Sequence, residues 1–212
     1  MEARSDMNKP TLIIFASGSK TGGGSGFENL VNASRSGILS ADIIAVVSNH
    51  ENGGVREKAD RLQIPFIHFD GPWTKEQYRR VAEGADYVAL SGWLKLVSGL
   101  DPRRTINIHP GPLPRFGGKG MHGHHVHQAV MEAYRRGEVT HSAVSMHFVT
   151  EKYDEGPLFL SVPVLINPDD TPETLGHRVN LVEHDYQPRV TNDVILGRIR
   201  WDGENPDSLL IP

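Results

Sequence analysis

Thr11-Leu12-Ile13-Ile14-Phe15-Ala16 is apolar after its first residue, and Ala41 to Val47 is apolar except at Asp42. A strand with one wet face alternates polar and apolar side chains. A continuous run needs cover on both faces, which is the condition of a buried parallel strand. Further short runs follow at Ile64–His68, Asp86–Leu90 and Arg104–Ile108, the last extending to His109. Between them lie amphipathic, charged patterns over Phe27–Ser36, Val55–Leu62 and Thr74–Glu83 that read as helices. Strand and helix alternate with short connections, so the chain is α/β. The first half reads as a Rossmann-like, mostly parallel twisted sheet with helices on both faces. The second half departs from that rhythm. His122–Arg136 reads as a helix, Ser142–Val149 alternates with period two, and Leu158–Val164 reads as its partner, an antiparallel extension of the sheet. Thr171-Pro172-Glu173 is a helix start, and the helix is expected to stop near Tyr186, ahead of Pro188. One domain over 1–212 is expected, with a flexible tail over 1–9, the Rossmann-like half over 10–110 and a second half over 111–212. The polar stretch from Trp201 to Pro212 reads as loosely ordered.

Chemistry concentrates where the fifth strand ends. Asn107 and His109 are i and i+2 of an extended run, so their side chains share a side. Pro110 stops the strand and places the pair at its carboxyl end, where ligands bind in open α/β sheets. An amide donor beside a titratable ring suits a carbonyl that becomes an oxyanion. The plainer reading is a capping Asn and a satisfied core His. Asp154 lies in the turn Tyr153-Asp154-Glu155-Gly156-Pro157, ordinary turn chemistry unless its carboxylate reaches His109. If it does, it raises the imidazole's pKa and selects its tautomer.

The Gly-rich loop Gly22-Gly23-Gly24-Ser25-Gly26 precedes the first helix. Backbone N–H groups there make an anion nest aided by the helix N-terminus. A Walker loop would need Lys at position 24, which is Gly24, and no G-x-G-x-x-G register fits. A monophosphate site survives, alongside a plain surface loop. His122, His124, His125 and His127 invite a metal reading, yet no H-E-x-x-H pattern or nearby carboxylate at ligand spacing accompanies them. Solvated or packing histidines are the preferred reading, and no metal is expected.

Other classes fall away on composition. Net charge is −4 with a pI near 6.2, which speaks against nucleic acid as a partner. No apolar run approaches bilayer length, and the N-terminus lacks a signal-peptide core. The chain has no cysteine, which removes disulfides, thiolate sites and a cysteine nucleophile and fits a cytoplasmic setting. Its 212 residues suffice to bury roughly 70% of the unfolded surface without staples. A homodimer is compatible with all of this.

Taken together, Asn107-Ile-His-Pro110, His147-Phe-Val-Thr150 followed by Asp154-Glu-Gly-Pro157, and Val182-Glu183-His184 resemble the folate-dependent formyltransferase family, over roughly Thr11 to Ile199. The resemblance implies a catalytic set of Asn107, His109 and Asp154, with His147 as a second histidine. It implies a ribosyl-phosphate site at Gly24, Ser25, Gly26 and Glu183, and a folate site at Lys75, Leu94, Lys95, Leu96, Val97 and Thr150. The implied reaction moves the formyl group of 10-formyltetrahydrofolate, the co-substrate, to the amine of 5-phosphoribosylglycinamide in purine synthesis. Asn107 would bind the oxyanion, His109 would assist as imidazolium, and Asp154 would support it and relay the amine proton. The sequence departs from the family in a longer phosphate loop with Lys20-Thr21-Gly22-Gly23, in Gly26 where Asn is usual, in Lys75 and Lys95 where Arg is frequent, in Gly-Pro-Leu-Pro after His109 where Ser-Leu-Leu-Pro is common, and in a longer stretch over Gly117–Gly123. Lys lacks the bidentate fork of Arg. The rival acceptors are an amino-sugar nucleotide and methionyl-tRNA; enzymes for these usually carry further C-terminal sequence. A folate deformylase, which normally has an N-terminal regulatory domain, a His-cluster metal-dependent hydrolase and a non-catalytic phosphoribosyl-binding module complete the alternatives.

Overall fold

The computed structural model describes residues 9–212, so the tail expected over 1–9 falls, but for Lys9, outside the described residues. One seven-stranded sheet runs through both halves in the order β3-β2-β1-β4-β5-β6-β7. The strands are β1 (Thr11–Phe15), β2 (Asp42–Ser48), β3 (Phe66–His68), β4 (Tyr87–Ser91), β5 (Thr105–His109), β6 (His141–Phe148) and β7 (Leu158–Leu165). The helices are α1 (Ser25–Ser36), α2 (Gly54–Leu62), α3 (Lys75–Val81), α4 (His124–Arg135) and α5 (Pro172–Ile195). β1 to β5 pair in parallel, and β6 and β7 join antiparallel, so β5 is the strand at which the sheet changes sense.

The unbroken apolar runs are explained by the two core layers. Leu12 and Ile14 of β1 enter the larger cluster with Phe27, Leu30, Val130 and Leu175. Ile13 and Phe15 enter the other, with Phe69, Tyr78 and Trp93. Successive strand side chains point to opposite faces, so both sets must be apolar. β6 behaves the same way. Every residue after His141 is buried, so its apparent period-two pattern reflects buried Ser142, Ser145 and His147 rather than a wet face.

Two sequence expectations are corrected. α5 does not stop before Pro188 but runs to Ile195 with the proline inside it. A helical proline leaves the carbonyl four residues back without its N–H donor. Here that carbonyl, of His184, accepts a hydrogen bond from Asn29 Nδ2 of α1 at 2.7 Å, so tertiary structure supplies the missing bond. The stretch from Trp201 is also ordered. The Trp201 ring is buried 5.8 Å from that of Phe148, its Nε1 donates to the Asn205 carbonyl at 2.8 Å, and Arg200 bridges to Leu210. A smaller shift moves the start of α4 to His124, after Gly123, which leaves His122 off the helix.

Candidate active site

β5 delivers Asn107 and His109 to its carboxyl end, as their i, i+2 spacing requires, and the antiparallel register sets His147 of β6 opposite Asn107. A register shift between Met146 and His147 marks the pairing with β7. The loop after β6 then returns Asp154, which adopts φ 54°, a left-handed conformation costly for a residue with a Cβ. Its carboxylate repays that cost with contacts on all sides. Oδ2 accepts from the Gly118 N–H at 2.9 Å and lies 3.7 Å from His109 Nδ1. Oδ1 lies 3.4 Å from His147 Nε2 and accepts from Asn107 Nδ2 at 3.3 Å. Asn107 Nδ2 also bonds His147 Nε2 at 3.1 Å.

The ring nitrogens follow from their backbone partners. His147 Nδ1 lies 2.7 Å from the Phe148 carbonyl and must donate to it, so in the neutral ring Nε2 is the acceptor for Asn107. His109 Nε2 likewise donates to the Phe116 carbonyl at 2.8 Å, so its Nδ1, facing Asp154, is the atom that titrates. Burial lowers the His109 pKa, and the opposing pull of Asp154 does not overcome it. A lowered pKa favours the neutral ring in the free site, so the imidazolium that the resemblance implies is the form His109 takes once it accepts a proton. Burial pushes Asp154 up, but the His147 contact, His109 and the Gly118 N–H together hold it below the ordinary carboxylate value.

These groups open on a cleft of about 460 Å³. Its opposite walls carry the glycine loop and α5. Gly24 caps α1 in the left-handed region (φ 76°) with no side-chain cap, leaving the first-turn N–H groups free for an anion. Gly26 is demanded by packing: a Cβ there would sit 2.1 Å from Ser91 Oγ at the end of β4. The inserted residues Lys20 and Thr21 form the tip of a tight Ser19–Gly22 turn, closed by a Ser19 N–H to Gly22 carbonyl bond of 2.8 Å. From α5, Glu183 lines the cleft and takes a 3.2 Å bond from Asn180 Nδ2; burial pushes its carboxyl up to about 7.

The chain matches the family described as formyl transferase over residues 12–191. The chain belongs to the formyl transferase family. Among curated relatives, a protein of Arabidopsis thaliana named "Phosphoribosylglycinamide formyltransferase, chloroplastic" is 35% identical, over 92% of this chain and 72% of that one. Among solved structures, glycinamide ribonucleotide transformylase 1 of Symbiobacterium toebii superposes with a TM-score of 0.79 at 26% identity, covering 96% of this chain and 94% of that one. The enzyme of the same name from Geobacillus kaustophilus gives 0.74 at 30% identity, covering 88% and 99%.

In this formyl transferase the cleft gathers Asn107, His109, Asp154, Gly24, Ser25, Gly26, Glu183 and Leu94, with His147 buried behind Asn107. The remaining expected folate residues divide. Val97 and Thr150 line a second cavity of about 230 Å³, which also draws on Pro102, Thr105 and Gly203. Lys75, Lys95 and Leu96 line neither cavity. Lys75 is paired with Glu151 at 2.6 Å, and Lys95 Nζ sits 4.4 Å from the centre of the Trp73 ring, so a competing partner engages each cation. Sequence reasoning missed Asn180, Gln187, Trp93, Tyr153 and His184 on the cleft wall. Asn180 was within reach, because it lies one helical turn before Glu183 on the same face. Among the described residues no group of three or more His, Asp or Glu side chains is placed to hold a metal ion; His124 instead meets Glu173 at 3.5 Å. No described helix is long and apolar enough to cross a membrane.

Proposed function

We propose that this chain transfers the formyl group of 10-formyltetrahydrofolate to the amine of 5-phosphoribosylglycinamide, a step of purine synthesis. The observation that carries the reading is the meeting of Asn107, His109 and Asp154 at one end of a cleft whose other walls hold an open helix N-terminus and Glu183. The first-turn N–H groups of α1 suit a phosphate and Glu183 suits ribose hydroxyls. The names of the relatives support the same acceptor. The absence of cysteine supports a cytoplasmic setting.

The folate is the formyl donor. The two cavities fit it in kind: Leu94 and Val97 offer apolar walls, and Thr150 opens the polar loop that leads to Asp154. The geometry supports the following residue roles. As the acceptor amine adds to the formyl carbon, neutral His109 takes its proton at Nδ1, and Asp154, 3.7 Å away, stabilises the imidazolium so formed. Both N–H groups of Asn107 are engaged at rest, one with His147 at 3.1 Å and one with Asp154 at 3.3 Å. The longer bond is the one surrendered, so that Asn107 donates to the oxyanion while His147 keeps its amide oriented. His109 then returns the proton to the departing folate nitrogen. Holding both substrates against one another supplies much of the remaining acceleration.

The test is release of deformylated folate with 10-formyltetrahydrofolate and, in turn, phosphoribosylglycinamide and an amino-sugar nucleotide. Turnover with the first acceptor and none with the second is expected. Asn107→Ala and Asp154→Asn should each lose about 10²–10³ in kcat. Near-wild-type kcat in both variants would sink the role assignment, and turnover restricted to the sugar nucleotide would sink the acceptor.

A further inference from the structure

His127, in the first turns of α4, is a buried side chain that the mechanism above does not use. It is 8% exposed and lines the same cleft as His109, Asn180 and Glu183. Its Nδ1 is sealed from solvent and has no hydrogen-bond partner, whereas Nε2 is not sealed. The Cδ2–Nε2 edge of the ring packs against α5 because residue 176 is glycine. A Cβ there would come within 2.8 Å of the His127 Cδ2 and 3.1 Å of Nε2. Gly176, Asn180 and Glu183 stand at i, i+4 and i+7, so the Nε2 edge meets the face of α5 that carries both polar groups.

The protonation state can be argued from burial. Desolvation, reinforced by neighbouring His124 and His109, pushes the ring's pKa down to about 4, so it is neutral and carries a single proton. A sealed N–H without an acceptor is rarer in folded proteins than a sealed acceptor without a donor. The proton therefore belongs on Nε2, and Nδ1 is the bare, sealed nitrogen. The cleft wall thus gains an uncharged N–H donor.

We propose that His127 is a specificity-determining residue whose Nε2–H donates to an uncharged oxygen of the acceptor substrate, in the part of that molecule between its phosphate and its amine. The proposal rests on the reading of the cleft as the acceptor site. A phosphate draws on positive charge, which the ring lacks and the α1 terminus already offers. An uncharged hydroxyl or carbonyl oxygen needs only a donor. An analogue without that oxygen would leave the N–H unpaired, which is how a polar site rejects close mimics.

The experiment is steady-state kinetics of the full chain, varying 10-formyltetrahydrofolate and phosphoribosylglycinamide independently, for wild type, His127→Phe and His127→Gln. Phe keeps a ring of similar size and removes the donor; its acceptor KM should rise about tenfold, the equivalent of one hydrogen bond. The folate KM should stay put, and kcat should hold within about twofold, because the bond is made in ground and transition states alike. Gln, which restores an N–H near the Nε2 position, should recover most of the acceptor KM. Nitrogen NMR of the wild-type histidines should show an Nε2-protonated ring whose signal moves when acceptor is added. An acceptor KM unchanged in Phe, or a parallel loss in Phe and Gln spread over both substrates, would overturn the proposal by reducing His127 to packing. An Nδ1-protonated ring, or an Nε2 signal indifferent to saturating acceptor, would overturn it even if the Phe variant fails to fold. Wild-type inactivity on phosphoribosylglycinamide would instead overturn the reading of the cleft, and this assignment with it.

Discussion

Replacing Glu183 with Gln should stabilise the protein, and by an amount that grows with pH. Raising a carboxyl from 4.5 to about 7 by burial costs the folded state about 3.4 kcal/mol once the group must ionise, at about 1.36 kcal/mol per pH unit. The folded chain holds this proton more tightly than the unfolded chain does. Stability from this group is therefore full below 4.5, declines as pH rises towards about 7, and is flat above that. Integrating the two titrations, about 1.4 kcal/mol has been lost near pH 5.5 and about 2 kcal/mol more is lost by pH 8.5. Gln retains an oxygen for the Asn180 N–H, now at 3.2 Å, but carries no titrating proton. Urea unfolding of both proteins at the two pH values isolates the group, because other titrations cancel in the difference. The variant-minus-wild-type stability should increase by about 2 kcal/mol from the lower to the higher pH, or about 4–8 °C in Tm for a chain of this size. An equal difference at both pH values would refute the argument that the cleft keeps this carboxyl protonated. Added acceptor, if its ribose hydroxyls satisfy Glu183, should narrow the gap.

Three further outcomes follow from other contacts. Gly26→Ala places a methyl 2.1 Å from Ser91 Oγ, so it should cost about 1–3 kcal/mol and weaken phosphate binding by displacing the first turn of α1; wild-type stability would contradict the packing argument. Asn29→Ala leaves the His184 carbonyl unpaired and should cost about 1–3 kcal/mol, whereas Asn29→Ala with Pro188→Ala should recover much of it, since residue 188 then supplies its own N–H; simple additivity of the two changes would contradict it. Because burial lowers the His109 pKa, the acid limb of kcat/KM should lie below the ordinary histidine value of 6.5 and vanish in His109→Asn; a limb above that value would mean that Asp154 outweighs burial.

What could be read from the chain depended on whether the deciding interaction was local. β1, β2, β4 and β5 were legible to within a residue or two because continuous apolar runs have few other homes. Asn107 and His109 were legible as a pair because strand geometry alone puts them on one side. The length of α5 was hidden because its tolerance for Pro188 comes from Asn29, 155 positions away from the carbonyl it serves. Trp201 was misread because the segment around it is polar, and burial of one large ring outweighed that composition. The pairing of Lys75, a folate residue by resemblance, with Glu151 was not legible, because 76 positions of chain separate the two. The neutral state of His109 was likewise beyond local reasoning, because a nearby carboxylate is visible in the sequence and the depth of burial is not.

Two of the bonds that fasten the segment following β5 run from the Phe116 carbonyl to His109 and from the Gly118 N–H to Asp154. The side chains that handle the proton are thus also the pins of the loop that walls the site. A substitution at either one alters two things together, the acid–base pair and the fit of the surrounding wall. Rates measured for His109 or Asp154 variants will therefore be composites, and crosslinking the loop in place is the way to separate chemistry from enclosure.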